Sequence, residues 1–355
     1  MTNLEKMQSI LADGTVDALL LTSRYSRMYA ACYDVGEGVA VIGRDRCWYF
    51  TDSRYIEVAQ DNLPGFTVQE TNRSNSYVQL INGALEELSA KTMGIEEENL
   101  RYSDYLSYAS ALHAELLPCQ EKISSFRSVK ENWELVRMRK AQQITDQAFA
   151  EILKKIRIGM TEKELAAELI YALLKNGADG LSFDPIVVSG PNTSKPHGVP
   201  GERKLEYGDF VTMDFGCMVD GYCSDMTRTV GIGFVSEEMA KVYEIVLQAQ
   251  EAAIAATKAG ATGAEVDGTA RNIIAEAGYG AFFGHGYGHS LGMQVHENPR
   301  CSMTNDQPLP AGVVCSAEPG IYLPGKFGVR IEDVVIVTEN GCENITKSPK
   351  NLIII

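Results

Sequence analysis

Two aspartates stand on opposite arms of an expected hairpin. The segments Phe210-Val-Thr-Met-Asp214-Phe-Gly216 and Tyr222-Cys-Ser-Asp225-Met-Thr-Arg228 both have strand character, and Asp220-Gly221 between them is a strong two-residue turn signal. With those two in the turn, Val219 faces Tyr222, Gly216 faces Asp225 and Asp214 faces Thr227. Side chains alternate along a strand, so Asp225 and Thr227 share a face. Asp214 and Asp225 are then diagonal neighbours on one face, roughly 7–8 Å apart at the backbone. Like charges so placed repel unless one is protonated or a cation lies between them. Two merely solvated carboxylates fit poorly beside Val211, Met213 and Phe215.

The chain contains 5 His, and three lie in Gly284-His285-Gly-Tyr-Gly-His289-Ser-Leu-Gly-Met-Gln-Val-His296-Glu-Asn-Pro299. A lone His is usually a satisfied polar contact, and His113 reads as such an ordinary residue. Three among small glycines suggest metal ligation or proton transfer. A phosphate loop is the weaker reading, because no G-x-G-x-x-G follows a strand and opens a helix. The remaining His197 lies in a Pro/Gly-rich loop, Ser189-Gly-Pro-Asn-Thr-Ser-Lys-Pro-His197-Gly. Glu318 stands at the tip of a strand that ends in Pro-Gly. Residues 328–336 read as one strand, with Arg330 and Glu332 on one face and Ile331 and Asp333 on the other. Either Glu alone would pass for a surface charge. Together, Asp214, Asp225, His289, Glu318 and Glu332 form an oxygen-rich donor set with one nitrogen. Such a set suits two divalent ions, Mn²⁺ first, with Co²⁺, Fe²⁺ or Zn²⁺ as alternatives. Two ions about 3.5–4 Å apart can share a water, lower its pKa and stabilise a tetrahedral intermediate. Neutral His197, His285 and His296 are then placed to donate hydrogen bonds or move protons.

These residues need a scaffold. The first third alternates strand and helix signals: a helix near 4–11, strands near 17–22, 38–42 and 47–51, a helix over 77–88 and a strand from 93. This is a small α/β domain. A long amphipathic stretch over 130–156 follows it, which sets the division at 1–127 and 128–355. The second part carries an internal echo. Gly159-Met-Thr161 with Glu164-Leu165 matches Gly260-Ala-Thr262 with Glu265-Val266, and Gly177 matches Gly278, all at an offset of 101. In each copy Gly ends one helix and Thr can cap the next. The expected fold is α+β: a pseudo-twofold domain with helices packed on a curved antiparallel sheet.

Composition narrows the partners. The chain has 355 residues, 45% hydrophobic, with a formal net charge of -15. So acidic a chain, without a dense Lys/Arg cluster, repels nucleic acid and anionic membranes. Neither a secretory signal nor a membrane-length apolar run is visible. The 8 Cys are dispersed without a C-x-x-C pair, so free buried thiols in a cytoplasmic protein are expected.

The ordered set Asp214, Asp225, His289, Glu318, Glu332 resembles that of the pita-bread metallopeptidases. So do Ser-x₄-Ser-x-Pro-His197-Gly, Val-His296-Glu-x-Pro, Glu318-Pro-Gly-Ile-Tyr322 and Arg330-Ile-Glu332-Asp. The likeness spans essentially the whole chain and is greatest to the Xaa-Pro aminopeptidase (aminopeptidase P) and prolidase branch, whose creatinase-type N-terminal domain Thr51-Asp-Ser-Arg-Tyr55 resembles. The resemblance implies the five metal ligands, with two carboxylates bridging, and Glu318 as general base. It implies His197 and His296 around the scissile amide, His285 lining the proline pocket, Arg330 orienting a ligand carboxylate, and Tyr322 behind the ligands. The implied substrates are peptides with proline at the second position, and the implied assembly is a homodimer. An Xaa–Pro amide lacks an N–H, so a site built around the ring can specialise in it. Motif spacing and length favour the aminopeptidase over the dipeptidase, which needs a group for the substrate's C-terminal carboxylate that the sequence does not identify. A non-catalytic binding protein on this scaffold is disfavoured, because relatives of that kind lose ligands. Departures are Tyr29-Ala-Ala-Cys-Tyr33 for the usual Tyr-x-Thr-Gly-Phe, Gln294 for a common Glu, and Tyr287 for a smaller residue.

Overall fold

Apolar runs of four or five residues, each bounded by turn residues, become the central strands of a six-stranded sheet in the first of two compact units, Met1–Arg127. The computed structural model describes residues 1–355. The sheet runs Thr67–Glu70, Cys47–Thr51, Val39–Ile42, Ala18–Leu21, Thr92–Ile95, Glu115–Pro118. Val39–Ile42 is antiparallel to both its neighbours, whereas the outer pairings are parallel. Helix Tyr77–Leu88 starts at a capping box, in which Ser76 and Gln79 satisfy each other's backbone N–H. It packs Ile81 and Leu85 against Leu20, Val41, Trp48 and Phe50. This is the α/β layout that the alternation suggests.

The second unit, Ser128–Ile355, is built twice over. Helices Asn132–Ile152 and Glu162–Lys175 cover one apolar core, and Glu237–Ala256 and Gly263–Glu276 cover another. The internal echo has a backbone counterpart. The Gly159 N–H donates to the Leu205 carbonyl at 2.9 Å, and the Leu205 N–H returns a bond to Met160 at 2.8 Å. In the second copy Gly260 donates to Leu309 at 3.0 Å and Leu309 to Ala261 at 2.8 Å. Gly159 and Gly260 have φ of 85° and 86°, a left-handed conformation that costs glycine little, so both helices start alike. Thr161 and Thr262 each close a capping box, with Glu164 and Glu265.

The sheets of this unit are antiparallel. One orders Met226–Gly231, Phe210–Phe215 and Ile186–Ser189; another orders Glu297–Cys301, Gly288–Ser290, Val314–Ala317, Asp333–Thr338 and Gly341–Asn344. The hairpin keeps the register that its turn dictates: Val219 opposes Tyr222 and Asp214 opposes Thr227. Asp220 and Gly221 both have positive φ, 47° and 79°, as a type I′ turn requires.

Residues 328–336 do not form one strand. Phe327–Arg330 pairs with Gly320–Leu323, whereas Asp333–Thr338 joins the five-stranded sheet. The chain changes sheets at Ile331-Glu332, where the Glu332 N–H bonds instead to the Thr227 carbonyl at 3.1 Å. Face alternation survives the switch. Glu332 looks toward the hairpin aspartates, while Asp333 turns away to Arg228 at 2.7 Å and Lys350 at 3.0 Å. All eight cysteines are free; six are buried and Cys342 is half-buried, but Cys32 is exposed, where its helix ends in a left-handed turn. No helix is long and apolar enough to cross a membrane.

Candidate active site

The hairpin, the sheet switch and the glycine-rich segment bring their acids and histidines to one cavity of about 690 Å³ in the second unit. Asp214, Asp225, His289, Glu318 and Glu332 all line it, as do His197, His285, His296 and Arg330. Asp225, His289 and Glu332 each offer a ligand atom, and these atoms lie within 4.8 Å of one another. Glu318 joins them through His289, whose Nε2 lies 3.2 Å from Oε1 of Glu318 and 3.7 Å from Oδ2 of Asp225. Asp214 sits at the other side, where Nη2 of Arg330 donates to its Oδ2 at 2.5 Å. His113 lies far along the chain in the first unit, with its side chain 64% exposed.

Buried supports fix this array. Thr227, across the hairpin from Asp214, donates its hydroxyl to Glu332 at 2.6 Å. Arg330 spreads its fork over Asp214, the Tyr322 hydroxyl at 3.0 Å and the Pro196 carbonyl at 3.2 Å. Tyr322 in turn meets Nε2 of His285 at 2.9 Å. Ser316, which the sequence reading passed over, accepts from the His289 N–H at 3.0 Å and donates to Glu318 at 2.9 Å. A serine one strand-step from a site glutamate is the only signal that could have marked it.

The array carries more negative charge than it can hold alone. Oδ1 of Asp214, Oδ1 of Asp225 and Oε1 of Glu332 are buried without any hydrogen-bond partner. Each such orphan costs about 1–3 kcal/mol, more when charged. Burial pushes the Asp225 and Glu332 carboxyls well up, and neighbouring carboxylates push the same way. Burial also raises Asp214, against the pull of Arg330. For Glu318, burial is outweighed by the His289 bond and charge, which bring it down to about 2. Burial alone would lower His289, yet Glu318 and Asp225 raise it to about 9. Burial, then the positive charge of His289 and Arg300, lowers His296 to about 4. Three orphaned oxygens, a carboxylate and an imidazole facing one space fit divalent cations.

That charge balance has a measurable consequence. At pH 7 the metal-free protein holds a proton on His289, and the raised carboxyls hold theirs to higher pH than free carboxyls do, so a cation must displace protons to bind. Calorimetric Mn²⁺ titration in buffers of different ionisation enthalpy is expected to report proton release, with affinity falling as pH falls. A binding enthalpy independent of buffer would contradict this charge state.

Sequence reading also missed Arg300, which pairs across the backbone with His289 in the adjacent strand. It is solvent-exposed, belongs to the cavity lining and makes no ion pair. Phe183, Pro185, Ile186, Pro196, Val199 and Val295 make an apolar part of the wall, with Asp184 and Ser302 as further polar lining.

The model of metallopeptidase family M24 matches residues 136–339, more than half of the chain and the whole of this cavity. The chain belongs to metallopeptidase family M24. A creatinase/prolidase N-terminal domain matches residues 3–129. The Xaa-Pro dipeptidase of Pyrococcus furiosus is 34% identical over 99% of both chains. Among solved structures, an Xaa-Pro dipeptidase from Bacillus anthracis superposes with a TM-score of 0.96 at 40% identity, covering 99% of each chain. The X-Pro aminopeptidase from Thermotoga maritima superposes at 0.90 with 39% identity, covering 96% of this chain and 98% of that one. This M24 enzyme therefore has the two-domain pita-bread architecture that its motifs resemble, and it is a metallopeptidase.

Proposed function

We propose that this enzyme is an Xaa-Pro dipeptidase, releasing proline from dipeptides. This revises the preference for an aminopeptidase that motif spacing suggested. The observation that carries the revision is Arg300, an exposed arginine in the cavity lining that makes no ion pair. It supplies the cation for a substrate carboxylate that the sequence alone did not identify. The dipeptidases from Bacillus anthracis and Pyrococcus furiosus support the same reading. The aminopeptidase from Thermotoga maritima keeps cleavage of longer peptides as the second reading.

Asp214, Asp225, His289, Glu318 and Glu332 would hold two divalent ions, Mn²⁺ being the first choice. Bound there, such ions polarise a carbonyl and lower the pKa of water. The chain's own residues do the rest. Glu318, with Oε1 already occupied by Ser316 and His289, takes the proton of the attacking water on Oε2. It then returns that proton to the proline nitrogen as the C–N bond breaks. His296, neutral at pH 7 and packed edge-on to His289 with centroids 4.3 Å apart, hydrogen-bonds the reacting amide. His197 does the same from the opposite loop. The apolar wall receives the proline ring, whose nitrogen has no N–H to satisfy.

Metal-free protein reconstituted with Mn²⁺ should hydrolyse Xaa-Pro well and Xaa-Pro-Yaa or Xaa-Pro-amide poorly, with Xaa-Ala inert. Efficient cleavage of the tripeptide would return the aminopeptidase reading. Arg300→Ala should cut kcat/KM for Xaa-Pro roughly 10- to 100-fold, the worth of one charge-assisted bond. It should leave Xaa-Pro-amide nearly unaffected. Equal losses on both substrates would remove Arg300 from carboxylate binding.

A further inference from the structure

His197 is the one cavity histidine that nothing holds directly. His285 is bonded to Tyr322, His289 to Glu318, and His296 packs against the His289 ring. His197 is exposed and makes no hydrogen bond of its own, so its position is that of its loop, 190–200. That loop is tied at both ends to a single side chain. Glu162, at the first position of helix Glu162–Lys175, is fully buried. Its Oε1 accepts from the Ser189 N–H at 2.7 Å, the Ser189 hydroxyl at 2.9 Å and the Asn192 amide at 3.1 Å. Its Oε2 accepts from the Gly201 N–H at 2.9 Å. The backbone repeats the tie, with Glu162 N–H to the Arg203 carbonyl at 3.0 Å and Lys163 N–H to that of Gly201 at 3.1 Å.

Four donors converge on one group, and only a carboxylate has acceptor sites on both oxygens for all of them. An amide would turn an NH₂ toward donors at one end. The loop is also pressed onto its sheet: a Cβ at Gly198 would lie 2.7 Å from the Val188 side chain. With its ends and its middle fixed, the loop has little freedom, and His197 is carried on a rigid arch.

We propose that Glu162 is a positioning residue for His197, clamping both ends of the arch so that the imidazole stands over the scissile amide. The inference rests on the proposed role of His197 in Xaa-Pro hydrolysis, and its test separates the two.

The first arm does not use turnover. With ¹³C-labelled histidine in Zn²⁺-loaded protein, five ring signals are assignable by single His replacements. Glu162→Gln should shift and broaden the His197 signal while leaving that of His113 unchanged. An unmoved His197 signal in the folded variant overturns the proposal. The second arm is a double-mutant cycle in the Mn²⁺ enzyme on Xaa-Pro. Glu162→Gln should lower kcat/KM roughly 10- to 100-fold, the order expected of a misplaced catalytic group. In a His197→Ala background the same change should cost less than about twofold, because the loss has already been taken. Equal losses in both backgrounds overturn the proposal and make Glu162 a general support of the fold. Asn192→Ala, which removes one donor only, serves both arms with smaller effects if Glu162→Gln does not fold. A wild-type enzyme inert on Xaa-Pro would refute the proposed function, and the NMR arm would still decide for or against Glu162.

Discussion

Asp225→Asn is expected to lose bound metal and turnover together while making the metal-free protein more stable. Asp225 lies among Asp214, His289 and Glu332, with one oxygen unpartnered and its carboxyl pushed well up by burial and then by Asp214. The amide has the same shape but removes the charge that a cation needs, and its NH₂ has no lone pair to offer one. Metal contributes several kcal/mol to such reactions, so turnover should fall about 10³-fold or more. The stability sign runs the other way. A carboxyl whose folded pKa is raised destabilises the fold as pH climbs through that pKa, because the unfolded chain ionises more readily. Asparagine abolishes that term. Thermal melts at pH 7 should therefore order metal-free wild type below metal-free Asp225→Asn, and both below Mn²⁺-loaded wild type. Elemental analysis should find the variant without metal. A variant that kept metal and rate would remove Asp225 from the site; one merely less stable would make it a structural residue.

The residues that declared themselves in the sequence did so because local geometry left them no freedom. A two-residue turn at Asp220-Gly221 admits one register, so the positions of Asp214, Asp225 and Thr227 follow from period two alone. The helices that open at Thr161 and Thr262 were legible for the same reason, since Gly, Thr and Glu at fixed spacing specify a cap. The sheet switch at Ile331-Glu332 was not. Alternation tells which way a side chain points, but the partner strand is chosen by residues far away, here Thr227. Arg300 and Glu162 were illegible for a related reason. One looks like a surface cation and the other like an ordinary first-turn acid. What distinguishes them is the company that the fold supplies: a place in the cavity lining without an ion-pair partner for Arg300, and for Glu162 two loop ends, Ser189 and Gly201, 27 and 39 residues on. Choice between dipeptide and longer substrate belongs to the same class, since the wall comes from segments about a hundred residues apart.

Glu318→Gln separates ligand from base. Oε1 of Glu318 is held by Ser316 at 2.9 Å and by His289 at 3.2 Å, so the side chain is fixed and its other oxygen is directed by that fixing. Glutamine can keep the Ser316 bond through its carbonyl, which leaves the NH₂ on the side where a proton must be accepted. Loss of a positioned base costs about 10²–10⁴ in rate, and kcat should fall by that factor with KM little changed. The acid limb of the kcat profile, which reports the ionisation of the base, should disappear in the residual activity. A ligand role alone predicts something different: metal content falls, and activity per bound metal returns toward wild type as Mn²⁺ is raised. His289 offers an independent reading. Its pKa is raised to about 9 against the effect of burial, first by the bond to Glu318 and then by its charge. Removing that charge should bring the imidazole down toward neutrality, so metal binding at pH 7 should release fewer protons than in wild type. Unchanged proton release together with an unchanged kcat would mean that Glu318 neither binds His289 nor takes the proton. A loss of both ties the base and the ligand to one carboxylate, whose two oxygens the fold holds to separate tasks.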